Sequence, residues 1–97
     1  MYHVIQYYCD YMNELINNID RIHTTYLGNV RIRKVIEVDD VIGYIRDIIK
    51  NKNFICYKRG KNYYIEYNDI IITINSYSYT VITVHSKYNK YVKIERK

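Results

Sequence analysis

The chain has 97 residues, which is the length of one domain and enough to bury a single hydrophobic core. No apolar run approaches the roughly 20 residues needed to cross a bilayer, and the N-terminus lacks the pattern of a secretion signal. We therefore expect a cytosolic protein with no membrane partner. The two cysteines, Cys9 and Cys56, lack the spacing of a metal site or a redox pair and are predicted to be buried thiols.

Basic charge is concentrated in the later part of the chain. Residues 1–29 carry a net charge of −2, whereas residues 30–97 carry 14 Lys and Arg against 7 acids, a net of +7. An excess of this sign attracts polyanions, so RNA or another nucleic acid is the first candidate partner. The alternative is a basic surface that only keeps a chain with 14 tyrosines soluble.

The first half has the hydrophobic period of helices. Apolar residues between positions 4 and 22 recur at steps of three and four, which predicts an amphipathic helix. The helix is expected to end near His23, where a polar break that contains Gly28 begins. Residues 29–38 fit either a strand or a short helix, and the short helix is favoured.

A further helix is predicted over residues 41–52. Asp39 or Asp40 precedes it as a candidate N-cap, and lysines lie near its far end, which suits the helix dipole. Gly43 inside this helix costs about 1 kcal/mol relative to alanine, so it is expected to mark a close contact between helices.

After Asn53 the period changes to two, which predicts strands. The expected strands cover residues 54–58, 62–67, 70–75 and 79–85, with a short edge strand over residues 91–94. Together these patterns predict one α+β domain over residues 1–97, helical over 1–52 and sheet over 53–97. The N-terminal helices are expected to pack on one face of a four- or five-stranded antiparallel meander.

Several enzyme classes with strong signatures are disfavoured. The sequence contains no P-loop, dinucleotide-binding fingerprint, paired-cysteine metal site or nucleophile elbow. No metal and no other cofactor is predicted.

Histidine, arginine and threonine residues at the breaks between elements are the remaining candidates for chemistry. His23 and Arg31 fall in the irregular region after the first helix. Thr83 and His85 share one face of the last long strand because side chains alternate, and they line the open face if Ile82 meets the helices.

These residue types suit metal-independent cleavage of RNA. The reaction needs a base for the 2′-hydroxyl proton, an acid for the leaving 5′-oxygen and cations for the phosphorane, and histidine serves either proton role near neutral pH. Each residue also has a structural alternative. His23 could cap its helix, Arg31 could pair with Asp20 or Glu37, and His85 could be a solvated strand end.

Three sequence strings carry a resemblance to a known family. HTTYLGNVRI from His23, KRGKNYYI from Lys58 and INSYSYTVITVH from Ile74 resemble a bacterial family of short domains with no assigned function. The resemblance spans about His23 to His85. Val35 departs from it, because a polar residue is expected there.

The predicted architecture also resembles the barnase and RelE-like ribonuclease toxins at the level of the fold. That resemblance implies an endoribonuclease with proton-transfer and phosphate-binding side chains. The catalytic candidates are His23, His85, Arg31 and Thr83, and the nucleic-acid-binding candidates are Arg59, Lys61, Tyr64 and Tyr79.

The rival hypothesis is a non-enzymatic inhibitor from a phage or mobile element, of the anti-CRISPR kind. Such a protein would bind an acidic or nucleic-acid-binding partner, such as a nucleic-acid-guided defence complex, through tyrosine and arginine side chains. A pocket at which the three strings converge favours the ribonuclease, and a flat or scattered arrangement favours the inhibitor. The sequence leaves the oligomeric state open.

Overall fold

The computed structural model describes residues 11–87 and the backbone of residues 92–93. Its helices are α1 (Met12–Asn17), a 3₁₀ helix (Ile19–Arg21), α2 (Tyr26–Arg33) and α3 (Val41–Asn51). Its strands are β1 (Ile36–Glu37), β2 (Ile55–Arg59), β3 (Asn62–Tyr67), β4 (Ile70–Asn75), β5 (Val81–Ser86) and β6 (Val92–Lys93). The predicted α+β class is confirmed.

The first predicted helix is interrupted in the part that the structure describes. α1 ends at Asn17, and the side-chain amide of Asn18 donates a hydrogen bond to the Glu14 carbonyl oxygen at 2.8 Å. A side chain that bonds the backbone locally competes with helix propagation, so a 3₁₀ turn replaces the last part of the expected helix. Residues 4–10, including Cys9, lie outside the described residues.

Residues 29–38 contain both of the elements that their pattern suggested. α2 extends to Arg33, and β1 occupies residues 36–37. The Thr25 hydroxyl caps α2 by accepting a hydrogen bond from the Gly28 amide at 2.9 Å. The preference for a short helix is therefore right for the first half of this segment only.

α3 begins as predicted, with Asp40 as its N-cap. The Asp40 carboxylate accepts a hydrogen bond from the Gly43 amide at 3.0 Å. A Cβ atom on Gly43 would lie 2.2 Å from Asp40 Oδ2. The close contact at Gly43 is thus with the capping side chain of its own helix. The expected contact with another helix is wrong.

β2 to β5 form an antiparallel sheet in chain order. The β2–β3 hairpin turns at Gly60, whose φ of +62° is easily adopted by glycine, and β3 and β4 are joined by a second two-residue turn. β6 does not extend this sheet as an edge strand. It pairs in parallel with β1, so the prediction for residues 91–94 is wrong in its partner.

One face of the sheet packs against the helices. A single hydrophobic core contains side chains from α1, α2, α3 and the inner positions of β2 to β5, and the predicted burial of Cys56 is confirmed. Among the described residues, no helix is long and apolar enough to span a membrane.

A β-bulge changes the alternation in β5. Val81 pairs with Ile74 and Thr83 pairs with Thr73, so Ile82 is an extra residue. Val81 and Val84 reach the core, whereas Ile82 is 46% exposed. The condition that Ile82 meets the helices is therefore not met, and it is the bulge that places Thr83 and His85 on the outer face.

Candidate nucleic-acid interface

Alternate positions of the four strands form a sheet surface that faces away from the core, which we call the open face. The cross-strand register arranges these side chains in rows that run across the sheet. Ile55 on this face is 50% exposed. The rows are Arg59, Asn62 and Asn75; then Tyr57, Tyr64, Thr73 and Thr83; then Ile55, Glu66, Ile71 and His85.

Two tyrosines and an arginine form a stack on the open face. The rings of Tyr57 and Tyr64 are directly cross-strand, with centroids 5.4 Å apart and an interplanar angle of 18°. The Arg59 guanidinium lies 5.5 Å from the Tyr57 centroid and 5.8 Å from that of Tyr64. The result is an aromatic surface with a fixed positive charge over it.

Glu66 connects this stack to the next row. Its carboxylate accepts a hydrogen bond from the Tyr57 hydroxyl and lies 3.2 Å from Lys87 Nζ. Partial burial, followed by the Glu66 charge, raises the pKa of Tyr57, so the phenol remains a donor at neutral pH. His85 is exposed in the same row as Glu66, with Ile71 between them.

His23 lies at the end of the sheet where β5 begins. It forms a parallel bridge with Thr80, and His23 Nδ1 lies 2.8 Å from the Arg21 carbonyl oxygen. A carbonyl can only accept a hydrogen bond, so Nδ1 carries the proton. In the neutral ring, Nε2 then accepts from the Thr80 hydroxyl at 3.2 Å. Ser78 Oγ lies 2.8 Å from Thr80 Oγ1 and extends the chain.

The three sequence strings converge at this end of the sheet. The string that begins at His23 contacts the one that ends at His85 through the Thr80 bridge. The hairpin string joins them because the Ser76 amide donates to the Lys61 carbonyl oxygen at 2.8 Å. The three strings therefore support one another through backbone hydrogen bonds.

A buried tyrosine pair lies beneath the same end of the sheet. The Tyr63 hydroxyl donates to the Glu14 carboxylate and lies 3.2 Å from the Tyr79 hydroxyl. Burial and then the Glu14 hydrogen bond raise the pKa of Tyr63. Tyr79 is 5% exposed, and the Arg21 guanidinium lies 4.7 Å from its ring centroid. The prediction that Tyr79 binds nucleic acid is therefore wrong, because its ring is in the core.

Residues 16–85 match a family model described as "Protein of unknown function (DUF3781)". The match covers most of the chain and includes all three strings. The chain belongs to the DUF3781 family. The match supports the expected family of short domains without an assigned function. No curated protein and no solved structure matches the chain significantly.

In this DUF3781 domain the two predicted catalytic histidines are far apart. His23 neighbours Thr80, and His85 lies five residues further along β5, which is about 16 Å of extended strand. Both proton-transfer groups must reach one phosphate at hydrogen-bonding range. The geometry thus does not support His23 and His85 as a pair.

The other predicted site residues of the DUF3781 domain divide between two surfaces. Arg59 and Tyr64 meet on the open face, and Thr83 is half-exposed in the row of Tyr64. Lys61 is exposed at the hairpin tip, whereas Arg31 is exposed on α2. Among the described residues near Arg31 on α2, the salt bridge is between Arg33 and Asp39, at 3.4 Å.

A groove of about 640 Å³ lies along α2. Its lining residues are Thr24, Thr25, Tyr26, Asn29, Val30, Arg33 and Lys34. No residue that the sequence predicted to be catalytic lines this groove. Within the described residues, no three His, Cys, Asp or Glu side chains cluster in a way that could hold a metal ion.

Sequence reasoning missed Tyr57 and Glu66. The signal was present in the hairpin, because a two-residue turn at Gly60 and Lys61 places Tyr57 opposite Tyr64. The same alternation puts Glu66 on the face of Tyr64. The hairpin register therefore predicts the stack once the turn length is known.

Proposed function

We propose that this protein binds single-stranded RNA on its open face. The observation that carries the proposal is the Arg59 guanidinium over the stacked rings of Tyr57 and Tyr64. Unpaired bases stack on tyrosine rings and on guanidinium planes, and each such contact contributes about 1–3 kcal/mol. A helix-covered sheet with such a face is also compatible with the analogy to barnase and RelE-like toxins.

The charge distribution supports the same proposal. Arg59 and Lys61 are exposed around the β2–β3 turn, and Lys87 lies beside Glu66 near the other end of the open face. These cations flank the aromatic stack from two directions. A strand of RNA that crosses the stack therefore meets positive charge on both sides, which favours its phosphates.

Fluorescence anisotropy with a labelled 20-nucleotide single-stranded RNA tests this binding. Tyr64→Ala should weaken affinity by about 5- to 150-fold, which corresponds to one stacked base. Tyr26→Ala removes an exposed tyrosine from α2 and serves as the matched control. Affinity should fall with salt at a log-log slope of about −0.7 for each phosphate contacted, or about −3 for four contacts.

Charge variants sharpen the test. Arg59→Gln and Lys50→Gln remove the same charge, but Lys50 is exposed on α3. Arg59→Gln should make the salt slope shallower by about 0.7, whereas Lys50→Gln should leave it unchanged. Equal effects of the paired variants, or affinity that does not respond to salt, would contradict binding at the open face.

Inhibition of a nucleic-acid-guided defence complex is the second candidate function. It is favoured by α2, where Tyr26 is 82% and Leu27 is 61% exposed beside the groove and its basic residues Arg33 and Lys34. An apolar patch with positive charge suits an acidic protein surface. In a target-cleavage assay with such a complex, Leu27→Asp should then abolish inhibition while Tyr64→Ala retains it. The reverse result would assign inhibition to the open face.

A further inference from the structure

We propose that Glu66 and His85 are the general base and general acid of a metal-independent ribonuclease site on the open face. The inference rests on the proposed RNA binding and adds a reaction to it. It also replaces the pairing of His23 with His85, which the geometry does not support. The inference is based on the third row of the open face, which contains Glu66 and His85, and on the side chains that contact Glu66.

The cross-strand register sets the distance between the two groups. Glu66 pairs with Ile71 and Ile71 pairs with His85, so the two Cα atoms are separated by two strand spacings, or about 10 Å. Both side chains leave the sheet on the same face. A phosphodiester with a hydrogen bond of about 3 Å on either side fits between them over Ile71.

The neighbouring row, which contains Tyr57 and Tyr64, would bind the substrate. Tyr57 and Tyr64 lie two residues along their strands from the row of Glu66 and His85, which is a separation of about 7 Å. A base stacked on Tyr64 therefore places a neighbouring phosphate near the row of Glu66 and His85. Binding and chemistry would use adjacent rows of one surface.

The reaction is transfer of the phosphoryl group from the 5′-oxygen to the 2′-oxygen. The Glu66 carboxylate takes the proton of the 2′-hydroxyl, and the 2′-oxygen forms a bond to phosphorus. The bond from phosphorus to the 5′-oxygen breaks, that oxygen keeps the bonding electron pair, and the His85 imidazolium donates a proton to it. The products are a 2′,3′-cyclic phosphate and a free 5′-hydroxyl. Solvent then removes the proton from Glu66 and returns one to His85.

The contacts of Glu66 position its carboxylate for proton transfer. The Tyr57 hydroxyl and Lys87 Nζ both engage its carboxylate and fix its orientation over the face. Lys87 also brings a positive charge to within 3.2 Å of the carboxylate. That ammonium group can interact with the negative charge that develops on the phosphorane oxygens, an effect commonly worth a few kcal/mol.

The experiment is incubation of the full chain with 5′-labelled single-stranded RNA in chelator. Glu66→Gln and His85→Ala should each slow cleavage by at least about 10²-fold while retaining RNA affinity in anisotropy and the circular dichroism spectrum. Glu37→Gln, at an exposed position on β1, is the matched control for loss of one carboxylate. The same oligonucleotide with 2′-deoxyribose in place of ribose should bind and remain intact.

The pH dependence separates the two roles. The wild-type rate should be bell-shaped, because the base must be deprotonated while the acid is protonated. The residual activity of Glu66→Gln should lose the acidic limb, and that of His85→Ala should lose the alkaline limb. A merely structural role for either residue would lower the rate without removing one limb.

Each contrary outcome identifies what has failed. Wild-type protein that binds RNA but does not cleave it would overturn the catalytic proposal and leave RNA binding in place. Cleavage that survives His85→Ala but not His23→Ala would move the chemistry to the end of the sheet. Protein that neither binds nor cleaves RNA would overturn both proposals.

Discussion

Gly28→Ala is predicted to destabilise the protein, although alanine is the better helix former. A Cβ atom on Gly28 would lie 2.3 Å from Thr24 Oγ1. That hydroxyl is not free to move without cost, because it donates a hydrogen bond to the Val81 carbonyl oxygen at 3.0 Å. This hydrogen bond therefore links the segment that precedes α2 to the first residue of β5.

The magnitude follows from three opposing effects. Alanine in place of glycine in a helix gains about 1 kcal/mol. Overpacking costs about 1–3 kcal/mol, and rotation of Thr24 away from Val81 costs about 0.5–1.5 kcal/mol for the lost hydrogen bond. We expect a net loss of about 1–2 kcal/mol in the free energy of unfolding, measured by urea denaturation. For a domain of this size each kcal/mol lowers Tm by roughly 4–8 °C.

A double-mutant cycle with Thr24→Ala isolates the contact. Thr24→Ala alone should cost about 1 kcal/mol because the Val81 carbonyl loses its partner. In the double variant the clash is absent and the helix propensity gain remains, so its stability should be near that of wild type. A stabilising effect of Gly28→Ala in the wild-type background would refute this account of the contact between Gly28 and Thr24.

Two further predictions concern pH and helix capping. Because the pKa of Tyr63 is raised in the folded state, the unfolded phenol, with a pKa of about 10, ionises first. Stability should then fall as pH rises above about 10, and Tyr63→Phe should make that fall shallower by one proton in alkaline urea titrations. An unchanged slope would contradict the buried phenol. Asp40→Ala should cost about 1 kcal/mol in urea denaturation, whereas Asp40→Asn keeps an oxygen for the Gly43 amide and should cost much less; equal losses would contradict the cap.

Elements with a strong local signal were predicted correctly. The bounds of β3 and β4 match the change to a period of two, because each strand alternates between core and open face and a two-residue turn joins them. The Asp40 cap followed from a side chain that accepts a hydrogen bond within its own turn. Such features depend on interactions between residues that are close in sequence.

Features that depend on distant residues were not predictable in the same way. β1 is a strand of two residues whose partner, β6, comes more than 50 positions later. Tyr79 is of a residue type that can stack on bases, but its ring lies in the core, in contact with Tyr63 and Arg21. The interruption after α1 is local, yet the apolar period continues through it, so periodicity alone conceals it.

The bulge at Ile82 determines which face of the sheet receives His85. Val81 faces the core, and strict alternation from Val81 would place Thr83 and His85 in the core as well. The extra residue reverses the alternation, so Val84 takes the inner position and His85 joins the row of Glu66. The bulge leaves Ile82 exposed and makes the strand pairing irregular. It also places His85 on the same surface as Tyr64, Arg59 and Glu66, the residues on which both proposals depend.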